Sequence, residues 1–169
     1  MKGAGRRGSP RRFLLLFGLF LLIFYVAVSV RPMDTHVVTP FTAAVARVSA
    51  SLLRLLGEPV TVSGTVISSD RFSVDIENGC NGLETALLLA AAIFAFPATW
   101  KARAAGFLAG FAAVEAVNFV RVATLFWIGV HRPSLFGSAH TLVWQTAVVL
   151  FGVGFFVVWA NRVAKRRTA

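Results

Sequence analysis

The sequence predicts an all-α polytopic membrane protein with about four transmembrane helices, a short extracytoplasmic amphipathic helix and a β-hairpin. Of its 169 residues, 57% are hydrophobic and 14% are charged, which leaves little room for a separate soluble domain. Several apolar runs approach the roughly 20 residues that a helix needs to cross a bilayer. Basic residues collect at the ends of these runs, where they fix orientation in a membrane. We therefore expect one integral membrane domain over residues 1–169.

The net charge of +10 does not indicate nucleic-acid binding, because the basic residues flank apolar segments instead of forming one basic face. Membrane lipids are the expected surroundings, and no nucleic acid is expected as a partner. A Walker-type phosphate loop is absent from the sequence, which argues against an ATP-driven role. The sequence offers no plausible metal-ligand cluster, so neither a metal nor a cofactor is expected.

Each predicted span is an apolar run bounded by charged residues or proline. The first run follows Arg11 and Arg12 and also resembles a signal peptide, with a weak cleavage site at Ala27-Val28-Ser29. At about 18 residues it is long for a signal sequence, so we expect a retained anchor. The second run stops at Pro97. The four spans cover approximately residues 13–30, 82–96, 104–130 and 139–160.

The charge distribution predicts that both termini are cytoplasmic, in the plasma (inner) membrane, with residues 31–79 and 130–138 outside. With the N-terminus inside, no acidic residue falls in a cytoplasmic segment, and most basic residues do, as the positive-inside rule requires. Those basic residues are Lys2, Arg6, Arg7, Arg11, Arg12, Lys101, Arg103, Arg162, Lys165, Arg166 and Arg167.

The outer segment, residues 31–79, is patterned. Apolar residues at helical spacing predict an amphipathic helix on the outer leaflet, ended by Gly57. Alternating residues then predict a hairpin with strands at 59–67 and 72–76, joined by a turn at 68–70. The alternative is a plain connecting loop. The helical stripe consists of Phe41, Val45, Val48, Leu52 and Leu55.

The hairpin leads to Cys80, the single cysteine, which lies where the polar segment turns into an apolar helix. A helix N-terminus favours the thiolate form that acts as a nucleophile. Cysteine is also a small residue that packs well in membrane helices, so a structural role stays open.

Ionisable and polar residues inside spans are costly and usually functional. The third span carries Glu115, Asn118 and Arg121, and the second carries Glu84 about one turn beyond Cys80. Arg121 lies nine residues, or roughly 14 Å, below the outer end of its span, and its long side chain can extend upward.

His140 opens the fourth span, so Cys80, Arg121 and His140 are predicted to meet near the outer interface. Structural roles remain open, since Arg121 could pair with Glu84 or Glu115 and His140 could cap its helix. His36 and His131 are further candidate bases outside the membrane.

These motifs resemble the exosortase/archaeosortase family. The resemblance rests on Cys-Asn-Gly-Leu at 80–83, Asn-Phe-Val-Arg-Val at 118–122 and a histidine opening the next span at 140. It covers residues 60–145, and the short chain resembles a compact member such as exosortase H. Asn81 stands where the family often has serine.

The resemblance implies a membrane-embedded cysteine transpeptidase or protease. Its partners would be exported proteins with a C-terminal sorting tail, made of a short motif, a transmembrane helix and a basic cluster. Cys80 would be the nucleophile, His140 the acid and base, and Arg121 the oxyanion-stabilising or thiolate-positioning group. Asn118, Glu84 and Glu115 would be supporting residues, and the oligomeric state is left open.

Acyl transfer chemistry independently requires a nucleophile, a proton carrier and a positive charge, which these three residue types supply. Two other classes of protein remain open. One is a small transporter or channel subunit that uses Glu84, Glu115 and Arg121, and the other is a structural partner in an envelope assembly.

Overall fold

The computed structural model describes residues 9–168, so the predicted cytoplasmic residues Lys2, Arg6 and Arg7 lie outside the described part. Five helical segments and one small sheet make up these residues. Helix α1 is Pro10–Ser29, α2 is Arg31–Leu55, α3 is Leu83–Ala95 and α4 is Trp100–His131. Helix α5 consists of Pro133–Ser138, a π-helical segment Ala139–Trp144 and Gln145–Thr168.

Four described helices are long and apolar enough to span a membrane, namely α1, α2, α4 and α5. The predicted number is therefore confirmed. By length and composition alone, the set includes α2, which was expected to lie along the outer leaflet, and leaves out α3, which was predicted as the second span. Helix α3, predicted as the second span, has 13 residues and is about 20 Å long, which is less than a bilayer core. It packs against α1, α4 and α5 and has eight buried residues, so it is surrounded largely by protein.

Helix α2 matches the predicted amphipathic helix in position but not in all of its buried face. Val45 is buried against α4 and the sheet, and Phe41 and Leu52 pack beside it. Val48 and Leu55, which were expected on the same apolar face, are 49% and 85% exposed. Small and polar residues replace them in the protein contact because they let the helices approach closely. The buried face consists of Thr42, Val45, Ala46, Ser49, Ala50 and Leu53.

The predicted hairpin is a three-stranded antiparallel sheet in the order β1-β2-β3. Its strands are Thr61–Ser63, Val66–Ser68 and Ser73–Asp75. The first predicted strand, 59–67, was wrong as a single strand because it turns back at Gly64, which has a φ of +61°. The turn between β2 and β3 is where it was expected, after Ser68.

The sheet lies between α2 and the C-terminal half of α4. Ile67, Ile76 and Val60 are buried against Phe126 and Val122 of α4 in one hydrophobic cluster. Phe72 extends this contact, because its ring packs on the rings of Phe126 and Phe136 at 5.6 and 5.3 Å. The sheet is thereby fixed over the ends of α4 and α5, and β3 leads the chain into the Cys80 turn.

Candidate active site

Cys80 lies in a tight turn between β3 and α3. The backbone N–H of Cys80 donates to the carbonyl of Glu77 at 3.0 Å. Glycines with left-handed backbone conformations flank the cysteine, since Gly79 has a φ of +89° and Gly82 a φ of +83°. Other residues rarely adopt this region without strain. The two glycines let the chain turn sharply on either side of the thiol.

Two asparagines attach this turn to α2. Asn81 is 1% exposed, and its amide donates to the Thr42 hydroxyl at 2.8 Å while its carbonyl oxygen accepts from the Leu83 N–H at 3.0 Å. Asn78 donates to the Asp34 carboxylate at 3.1 Å. Asn81 therefore satisfies one of the unpaired N–H groups at the start of α3 and fixes the cysteine turn to a distant helix.

The thiol of Cys80 lies against the imidazole of His140. Cys80 Sγ and His140 Nε2 are 2.8 Å apart, within hydrogen-bonding distance. His140 belongs to the π-helical segment of α5, and such segments are frequent at functional sites. Its ring stacks on Phe136, one turn earlier, with centroids 5.9 Å apart and planes 5° from parallel. The predicted meeting of Cys80 and His140 is present.

Arg121 completes the group from α4. Its Nη2 donates to Cys80 Sγ at 3.6 Å, and its side chain is 2% exposed. Among the described residues, no carboxylate lies within ion-pair distance of Arg121, and its Nε has no hydrogen-bond partner. The open alternative of a structural pair with Glu84 or Glu115 is therefore wrong. The guanidinium is buried with the sulfur as its described acceptor.

The supporting residues differ in their surroundings. Glu115 and Asn118 are 6% and 0% exposed, and their side-chain polar atoms have no hydrogen-bond partner in the part of the chain that the structure describes. Glu115 lies beneath the cysteine turn, so close that a Cβ added to Gly82 would be 2.6 Å from its Oε1. Glu84 is exposed, with its carboxylate beside Gly79. Glu115 and Asn118 thus form a buried polar layer below the site, and Glu84 lies at its margin.

Burial raises the pKa of the Cys80 thiol, and the charges of Glu77 and Glu84 act in the same direction. The Arg121 guanidinium lowers this pKa but does not outweigh burial. Burial therefore opposes the preference for the thiolate that was expected at a helix N-terminus. The sulfur precedes the first turn of α3 and is half-buried, so the cost of removing a thiolate from water prevails.

The sulfur opens into a cavity of about 220 Å³. One wall is the chain from Val74 to Glu77, and the opposite wall carries Phe136 and His140 of α5. Val122 and Leu125 of α4 form an apolar floor beside Arg121. The cavity is therefore a mainly apolar cleft that contains the Cys80 thiol, the His140 imidazole and the Arg121 guanidinium.

The other candidate bases lie elsewhere. His36 is exposed in the π-helical turn of α2, and His131 bonds to the Trp127 carbonyl at 3.0 Å and stacks on that indole. Sequence reasoning missed Phe136, Thr42, Asp34 and Glu77. Of these, only Phe136 could have been found from the sequence, because it precedes His140 by one helical turn and so lies on the same face of the helix.

A comparison with models of protein families identifies the family of this chain. The family model described as transmembrane exosortase matches residues 5–160. The chain belongs to the transmembrane exosortase family. It is thus an integral membrane protein of a family of sorting transpeptidases that act on exported proteins carrying sorting tails. Comparisons with curated proteins and with solved structures give no match.

Proposed function

We propose that this protein is a cysteine transpeptidase or protease that removes C-terminal sorting tails at the outer face of the inner membrane. Its substrates are exported proteins that end in a short motif, a transmembrane helix and a basic cluster. Cys80 is the nucleophile, His140 the general base and acid, and Arg121 the oxyanion-stabilising group. Both chain termini lie in the cytoplasm in this proposal, and the cavity faces outward.

One observation carries the proposal. Cys80 Sγ lies 2.8 Å from His140 Nε2 and 3.6 Å from Arg121 Nη2. The three residues come from the turn before α3, from α4 and from α5, so chain proximity does not bring them together. A nucleophile in contact with a base is the arrangement that covalent catalysis needs.

The reaction follows from these contacts. As Cys80 Sγ attacks the scissile carbonyl carbon, its proton passes to His140 Nε2, and the carbonyl oxygen becomes an oxyanion. Collapse of this intermediate breaks the C–N bond, and the leaving amine takes the proton from His140. A thioester on Cys80 remains. Water or an acceptor nucleophile then attacks the thioester, with His140 removing its proton and returning it to the thiol.

The raised pKa of Cys80 favours transfer of the proton during attack over a preformed thiolate. The buried Arg121 supports the next step. A guanidinium without a carboxylate partner is costly in a low-dielectric site. Negative charge that develops on the oxyanion relieves this cost, so the cation favours the transition state over the ground state.

Expression with a tail-bearing reporter tests the proposal. The reporter is an exported protein from the same genome that ends in the motif, helix and basic cluster, and tail removal is followed by immunoblot. We expect the wild type to remove the tail and Cys80→Ala to abolish removal while accumulating normally in the membrane. Ser63→Ala, an exposed change at the end of β1 that does not line the cavity, is the control and should retain processing. Tail removal by Cys80→Ala would overturn the proposal.

A further inference from the structure

Strand β3 is an edge of the sheet, and its free side borders the cavity that holds the thiol. The strand order β1-β2-β3 leaves β3 paired on one side only. The cavity is lined by the consecutive residues from Val74 to Glu77, whose side chains alternate between the two faces of the sheet. A cavity that touches residues of both faces lies along the edge of a strand.

The hydrogen-bond pattern shows which backbone groups are free. Ile76 N donates to Thr65 O at 3.1 Å, and Ser69 N donates to Phe72 O at 2.8 Å. Antiparallel pairs alternate between hydrogen-bonded and non-bonded residues, so Val74 also bonds to β2. The N–H and C=O groups of Ser73 and Asp75 therefore point away from β2, and no described chain segment pairs with them.

We infer that the substrate binds as an added β-strand along β3, with its main chain paired to Asp75 and its scissile carbonyl presented to Cys80. The inference rests on the proposed function and specifies how that site holds its peptide. Unpaired main-chain donors and acceptors at an edge are satisfied best by another extended chain. Asp75 precedes Cys80 by five residues, so strand and nucleophile belong to one short, anchored segment.

The occupant is an extended stretch of the exported protein next to the cut bond. The substrate residue that pairs with Asp75 must supply both an N–H and a C=O, which excludes proline at that position. A neighbouring substrate side chain would contact Val122, Leu125 and Phe136, so an apolar residue fits there. Main-chain pairing provides affinity, and this apolar floor provides selectivity.

A pair of substitutions at Asp75 isolates the backbone N–H. Asp75→Ala removes the carboxylate and its 2.6 Å hydrogen bond from Thr65 but keeps the backbone N–H. Asp75→Pro removes the carboxylate and the backbone N–H together. Proline is tolerated at an edge position whose N–H does not bond within the sheet. We expect Asp75→Pro to process the reporter tail roughly five- to tenfold more slowly than Asp75→Ala, as for one lost hydrogen bond.

The opposite edge supplies the control. By the same alternation the N–H of Val62 points away from β2 on β1, so Val62→Pro and Val62→Ala should differ little in processing. Equal rates for Asp75→Pro and Asp75→Ala, or an equal loss for the Val62 pair, would overturn strand addition. A wild type that leaves the tail uncut would instead overturn the proposed function.

A second measurement does not depend on folding of the proline variant. Synthetic tail peptides with single backbone N-methyl groups are offered to the wild type in membranes. Strand addition predicts that N-methylation slows cleavage at every second residue and has little effect at the residues between. A uniform effect, or none, contradicts the inference.

Discussion

The imidazole of His140 lies parallel to the ring of Phe136, with centroids 5.9 Å apart. No carboxylate is hydrogen-bonded to His140 among the described residues, so its ring is held by this stacking and by its contact with the thiol. In the proposed mechanism, the stacking would take the orienting role that an acidic third residue has in many catalytic triads. Phe136 itself is supported by Phe72 at 5.3 Å. Aromatic packing therefore holds the imidazole beside the thiol.

Phe136→Ala should slow tail removal by about a hundredfold, because a small misplacement of a catalytic group costs that much. Phe136→Tyr keeps the aromatic ring that stacks on His140 and should therefore retain most of the wild-type rate. Leu135→Ala, at an exposed neighbour, is the control. The measurement is the rate of reporter processing at equal protein levels.

The Cys80 thiol should react with alkylating reagents only at a higher pH than an ordinary cysteine thiol does. Burial and the charges of Glu77 and Glu84 raise its pKa, so the thiolate fraction rises through that higher value as pH increases. Cys80 is the single cysteine, which allows iodoacetamide labelling in membranes to report it alone. A half-maximal labelling rate at or below the ordinary thiol pKa would contradict this prediction.

Two variants should move that labelling curve in opposite directions. Glu77→Gln removes a charge that raises the pKa of Cys80 and should shift the curve to lower pH. Arg121→Gln removes the cation that lowers this pKa and should shift the curve to higher pH. Glu58→Gln, which changes a carboxylate paired with Arg71 on the surface, should leave the curve in place.

Arg121→Lys should retain only a small part of the processing activity. Lysine keeps the charge but lacks the planar guanidinium that reaches the sulfur from α4. A single oxyanion donor is worth about a hundred- to a thousandfold in rate, and we expect a loss in that range in kcat. The acyl-enzyme should accumulate less in this variant than in the wild type when it is trapped by acid and detected by mass spectrometry. Wild-type kcat in Arg121→Lys would exclude the assigned role.

Gly129→Ala should destabilise the region around the site. A Cβ at Gly129 would overlap the Phe72 ring, and that ring is held between Phe126 and Phe136. Overpacking of this kind costs about 1–3 kcal/mol. Gly154→Ala, in a helix with no atom within 4 Å of the added Cβ, is the matched control and should be neutral or stabilising. Thermal unfolding in detergent distinguishes the two.

Much of the fold was accessible from local patterns. Apolar length and flanking charge predicted a polytopic membrane protein, and the helix ends near residues 30, 96 and 131 agree with the predicted limits. The predictions that differ from the structure concern helices that pack against other parts of the protein. Helix α3 is buried among other helices, so its length need not match the thickness of the bilayer. Which side of α2 is buried depends on α4 and the sheet, which pack against it and which the local pattern does not include.

The sequence alone determined the chemistry available to this protein. It has one thiol, a histidine at the start of the last long helix and an arginine inside the third predicted span, in the order that resembles the exosortase family. These three residues could be identified because their positions relative to the apolar runs can be read from the sequence, and because ionisable residues inside such runs are costly and usually functional.

Only the tertiary structure decided how these residues act together. It placed Nε2 of His140 at 2.8 Å from the thiol and left Arg121 with no carboxylate of residues 9–168 within ion-pair distance. It also positioned Phe136, Thr42 and the free edge of β3 around Cys80. The hydrogen bonds that hold the cysteine turn join residues 39 to 60 positions apart along the chain. Distances between such segments arise from packing, which short-range sequence patterns do not encode.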